Sequence, residues 1–83
     1  MTAPHKIAPH KIAIVIYNNI TTEAKSPAYR ALGFAAELLA AGDDVALVFD
    51  GGGTVTLAEV IRPDSDLHRA WARAAPALRG ACD

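Results

Sequence analysis

One thiol, Cys82, and a run of three glycines, Gly51-Gly52-Gly53, are the residues of this chain best suited to chemistry. The glycines sit between an acid, Asp50, and a hydroxyl, Thr54. A lone cysteine reacts when it is exposed in an electropositive setting, and otherwise serves as a small buried apolar group. A glycine loop that runs into a helix start can present free amides to an anion. The nucleotide versions of that device need more than glycine. A P-loop requires a lysine and a hydroxyl after its last glycine, and no lysine follows Gly53. A dinucleotide fingerprint belongs after the first strand, where the chain instead reads NNITTEAKSP. Two readings of the glycines stay open. They turn the backbone sharply, with at least one positive φ, or the same turn also lines a small-ligand site with Asn18, Asp50 and Thr54.

Other residues carry weaker signals. Lys25 and Arg30 can serve an anion near the same place, but solvated surface charge accounts for them more simply. His68 is expected to face solvent, and Trp71 to anchor a core or an interface. His5 and His10 fall in an exact tandem pentapeptide, Pro4 to Ala8 and Pro9 to Ala13. With no carboxylate close by and a proline in each copy, the repeat reads as a disordered leader over residues 1–10, and no metal is expected there. No Ser-His-Asp or paired-carboxylate arrangement follows from spacing.

The elements that must position these residues follow from apolar periodicity and punctuation. Lys11 to Tyr17 and Val45 to Phe49 are apolar without alternation, the pattern of parallel strands covered on both faces. Between them Ser26 is expected to cap a helix over 27–41, with Pro27 in its first turn and Gly42 just beyond its end. Arg30 and Glu37 are the only charges along that helix, so most of its circumference should be covered. Thr56-Leu57-Ala58-Glu59 fits a capping box for a short helix starting near Leu57 and limited by Pro63. Asp64 or Ser65 should cap the next helix, whose apolar face is Leu67, Ala70, Trp71, Ala74 and Leu78, with Pro76 interrupting it. The order is β-α-β, then two helices, with a third strand beginning at LRGACD if anywhere. Parallel strand ends then share one edge of the sheet. Asn18, Asn19, Thr21 and Thr22 after the first strand and Asp50 to Thr54 after the second belong to that carboxyl edge, where open α/β sheets bind ligands, whereas Cys82 falls where a third strand would begin.

Size and charge bound the rest. An 83-residue chain buries only about 60–65% of its unfolded surface, and a single cysteine cannot staple it. Hydrophobic residues make up 52% of the sequence, which points to shared burial, against further chain beyond Asp83 or another copy. Eight Lys and Arg against nine Asp and Glu, with no basic stripe, leave no footprint for nucleic acid. No apolar run approaches the length of a membrane span, and no secretory leader is recognisable, so a cytoplasmic setting is expected.

KIAIVIYNN, the alanine-rich AYRALGFAAELLAAGDDVALVFDGGGT, then RPDSDLHRAW and LRGACD together resemble the DsrE/DsrF-like family of small α/β proteins. The likeness runs from about Lys11 to Asp83 and rests on the order of elements. It implies a flavodoxin-like parallel sheet with flanking helices, of which residues 11–83 would be the N-terminal β-α-β-α portion of a single domain. It also implies a homo-oligomer or an assembly with a related subunit. Some members relay sulfur as a persulfide on a cysteine, and Cys82 falls in about that place, with a sulfur donor or acceptor protein as partner. The alternative is a non-catalytic module that binds a small molecule or nucleotide, or assembles. No cofactor is implied.

Overall fold

The computed structural model describes residues 10–82. The expected leader up to residue 9, with His5, lies outside the described residues. Three strands, β1 (Lys11–Ile16), β2 (Asp44–Asp50) and β3 (Leu78–Cys82), form one parallel sheet in the order β1-β2-β3. Helix α1 (Ser26–Ala40) joins the first two. Helices α2 (Gly53–Val60) and α3 (His68–Ala74) and a 3-10 turn, Ala75–Ala77, join the second pair. This is an α/β fold of flavodoxin-like kind, with helices flanking a parallel sheet in β-α-β-α order. Leu78–Cys82 does supply a third strand, which makes β2 central and leaves β1 and β3 as edges among the described residues.

The register pairs Ile12 with Val45, Ile14 with Leu47 and Ile16 with Phe49. Partners in a parallel ladder share a face, and this face is the covered one. Val45, Leu47 and Phe49 are buried there with Ala28, Leu32 and Ala35 of α1, Val60 of α2 and Ala74 of α3 in one continuous core. Trp71 packs edge-on against Phe49 with ring centres 6.0 Å apart, the anchoring role expected of it. The other face holds Ala13, Val15, Ala46 and Val48, and the strands are not covered on both sides as their composition suggests: Val15 is 48% exposed. The strand order supplies the reason. Two crossovers of the same hand that advance in the same direction across a sheet place their helices on the same side. Between Leu47 and Val48 the β3 register shifts, so Leu78 pairs with Leu47 but Gly80 with Val48.

Helix punctuation is borne out at some ends and corrected at others. Gly42 follows α1 at φ +89°, and its amide donates to Leu39 O at 3.0 Å while that of Asp43 donates to Leu38 O at 3.0 Å. That pair of bonds is the Schellman closure, and it satisfies carbonyls that the helix end would otherwise orphan. At the other end Ser26 is not the cap. Lys25 already has helical angles, φ −79° and ψ −19°, so Ser26 is the first helical residue and makes no capping bond. Helix α2 begins at Gly53 rather than near Leu57, which puts Thr56 inside the helix instead of at its cap. Helix α3 begins at His68 with no side-chain cap. Ser65 Oγ accepts from Leu67 N at 3.2 Å one turn earlier, and Asp64 pairs with Arg62 instead. Pro76 closes the helix as expected, inside the 3-10 turn that leads to β3.

Candidate functional site at the carboxyl edge

All three strands end at one edge, and the sequence-derived site residues meet there. Gly51 turns away from β2 at φ +54°, in the left-handed region that glycine adopts without a steric cost. Its amide donates to Cys82 O at 2.8 Å, which ties the ends of β2 and β3 together. Thr54 N and Thr54 Oγ1 both donate to Gly51 O, at 3.0 and 2.9 Å, and close the turn. Gly53 lies against the end of β1. A Cβ placed on it would fall onto the carbonyl oxygen of Ile16 and 2.7 Å from its carbonyl carbon. A Cβ on Gly52 would come within 3.0 Å of Tyr17 O and 3.2 Å of Asn19 Cβ. The three glycines therefore do different things. The first makes the turn, and the other two let the start of α2 sit directly on the β1 chain.

The loop after β1 is held by its own polar groups. Thr56 Oγ1, fully buried, donates to Asn18 O at 2.6 Å and accepts from Ile20 N at 3.1 Å. Asn18 Nδ2 donates to Ala24 O at 3.4 Å. Asn19 Oδ1 accepts from Thr21 N at 2.9 Å and from Thr21 Oγ1 at 2.6 Å, while Glu23 Oε1 accepts from Asn19 N at 2.7 Å. This clasp was not visible in the sequence, where Thr56 carries the signature of a helix cap.

Of the residues singled out at this edge, Asn18 and Thr54 have committed their side chains to the fold. Asp50 and Cys82 have not. They are register partners on adjacent strands, both exposed, on the face of the sheet that carries no helix. None of Asn18, Asp50, Gly51, Gly52, Gly53, Thr54 or Cys82 lines the recess of about 370 Å³ beside Lys25 or the groove of about 930 Å³ between α1 and α3. The arrangement is an exposed thiol beside an exposed carboxylate. Among the described residues no group of three metal-ligating side chains comes together, and no helix is long and apolar enough to cross a membrane.

The cations near the start of α1 go elsewhere. Lys25 Nζ donates to Asp66 Oδ2 at 2.8 Å, and this bond holds the Asp66 carboxyl below the usual carboxylate range. Arg62 bonds Asp64 at 2.9 Å and lowers its carboxyl in the same way. A carboxylate lowered in the folded state adds stability at neutral pH that is lost as the pH falls below about 4 towards the lowered value, and the solvent exposure of both pairs keeps the contributions small. These pairs line a recess of about 370 Å³ in which each cation has its carboxylate. Arg30 lies in a second, larger groove. His68 is half-buried rather than solvent-facing, its Nδ1 at 2.9 Å from Val60 O. A carbonyl can only accept, so Nδ1 carries the proton.

Comparison of the chain with models of protein families, with curated proteins and with solved structures finds no match in any of the three.

Proposed function

We propose that this is a DsrE-like sulfur-handling protein in which Cys82 carries a persulfide. The exposed position of Cys82 at the carboxyl edge, where another protein's thiol can approach it, is the observation that supports the reading. The chemistry is thiol exchange. The Cys82 thiolate attacks the outer sulfur of a donor persulfide, R–S–SH, and a bond forms from Sγ to that sulfur. The donor S–S bond breaks, and its electron pair leaves on the thiolate R–S⁻. An acceptor thiolate then takes the sulfur from Cys82 by the same displacement, with no net oxidation. Incubation with glutathione persulfide followed by intact mass measurement tests this. The expected result is a gain of one sulfur atom, removed by cyanide and absent in Cys82→Ser. Equal labelling of the variant, or no labelling of either protein, would rule the role out.

A second reading, assembly, is favoured by the bare sheet face. Val15, next to the carboxyl end of β1, lies on that face, and Tyr17 just beyond the strand is 71% exposed. Burying such a face against a second copy or a related subunit removes apolar surface from water. Sedimentation should show a species larger than one chain, reduced to the monomer by Val15→Lys. A monomer at all concentrations would exclude a homo-oligomer through this face.

A further inference from the structure

We infer that the groove between α1 and α3 binds a small organic anion with a planar apolar body. The groove encloses about 930 Å³, within the range of small-molecule sites, and it shares no lining residue with the carboxyl edge. Three features of its lining converge on that ligand class.

The first is charge. The described chain has five arginines. Arg62 is held by Glu59 and Asp64, and Arg79 lies near Asp44. The other three, Arg30, Arg69 and Arg73, have no ion-pair partner among the described residues, and all three line this groove. Against them stand Glu37 and Asp66, of which Asp66 is already bonded by Lys25. The groove is left with an excess of cation, and a guanidinium is the group best shaped to grip a carboxylate or phosphate in two places.

The second is apolar surface of the right form. Tyr29 and Phe34 of α1 line the same groove and are 59% and 55% exposed. Aromatic rings left in solvent beside unpaired guanidinium groups offer a stacking surface next to an anion clamp.

The third is Gly33, which lies on the groove in the middle of α1. Glycine is unfavourable in a helix interior relative to alanine. The fold does not require it here, because its φ is ordinary and a Cβ would meet nothing within 4 Å. What the glycine does is leave the floor of the groove bare.

The groove therefore holds its ligand by stacking on Tyr29 and Phe34 over Gly33, with the anionic group between Arg30 and the α3 arginines. Amide chemical-shift titration of the full chain tests this with three probes: 2-naphthyl phosphate, uncharged 2-naphthol and inorganic phosphate. The expected result is saturable movement of the Gly33, Phe34 and Ala70 amides by 2-naphthyl phosphate, with each of the other two binding roughly tenfold or more weakly. The double variant Arg69→Gln, Arg73→Gln changes only exposed side chains and should weaken the charged probe by roughly tenfold. Gly33→Leu should abolish binding while the β2 amides keep their positions. Equal affinity for the uncharged probe, equal affinity for phosphate alone, or wild-type binding by the arginine double variant would each overturn the inference. So would movement of the same amides on dilution without any probe, since a second copy would then occupy the groove.

Discussion

Gly53→Ala is expected to cost about 3 kcal/mol or more, since the new methyl meets backbone that cannot move aside. A chain of this length has a total stability of roughly 4–12 kcal/mol, so the variant should lose much of its cooperative folding. The atoms it would strike are the Ile16 carbonyl, the last residue of β1, and Tyr17 Cα at 3.0 Å. Ile16 is itself part of the core, opposite Phe49 in the register, so neither strand can yield without opening the ladder. Thermal unfolding followed by circular dichroism should show the midpoint lowered by more than about 12 °C, at some 4 °C or more per kcal/mol. Gly33→Ala is the control, because its Cβ has free space and helical backbone, and it should stabilise the chain by about 0.5–1 kcal/mol. If both substitutions have the same small effect, the close approach of α2 to β1 is not what Gly53 provides.

Thr56→Val removes the clasp without changing the volume of the side chain. The loss leaves Asn18 O without its donor and Ile20 N without its acceptor, around a fully buried side chain. Unsatisfied buried polar groups cost about 1–3 kcal/mol each, so a loss of roughly 2–4 kcal/mol is expected in urea. Thr56→Ser keeps the hydroxyl and should forfeit only about 1 kcal/mol for the missing methyl. Hydrogen exchange gives the local signature: the Ile20 amide should lose protection in the valine variant and keep it in the serine one. Equal destabilisation by the two substitutions would assign Thr56 to packing alone.

The contrast between these two residues explains how much of the molecule could be read in advance. Strands β1 and β2, helix α1 and the parallel crossover were legible because their signals are local: an unalternating apolar run, Pro27 and Gly42. The meeting of Asn18, Asp50 and the glycines at one edge followed from topology alone, but Cys82 joins them because β3 starts at Leu78, which makes the thiol the last residue of the strand rather than one near its start. Thr56 carries a misleading signal, because Thr-x-x-Glu marks a helix start only when no helix has already begun. The packing of Gly53 on Ile16, which starts α2 early, is a contact between residues far apart in sequence. The bare second face of the sheet departs from the strand composition for a related reason. Val15 and Val48 record what a strand tolerates, but which face the helices take depends on strand order. At the groove, Gly33 was a readable signal, an unexplained glycine on the same stripe of α1 as Tyr29, Arg30 and Glu37. The pairing of that stripe with Arg69 and Arg73 was not.

The strand order also sets how the domain would respond to force. The chain enters the sheet at the amino end of β1 and leaves it at the carboxyl end of β3, at opposite edges. Tension between those two points runs along the strands rather than across them. Both ladders are then loaded in shear, with the bonds of each sharing the pull at once, whereas a hairpin pulled at its ends unzips bond by bond. The Gly51 amide bonded to Cys82 O lies where β3 would transmit that load to β2. A sheet of only three short strands is in this way mechanically stiffest along the line joining its two ends.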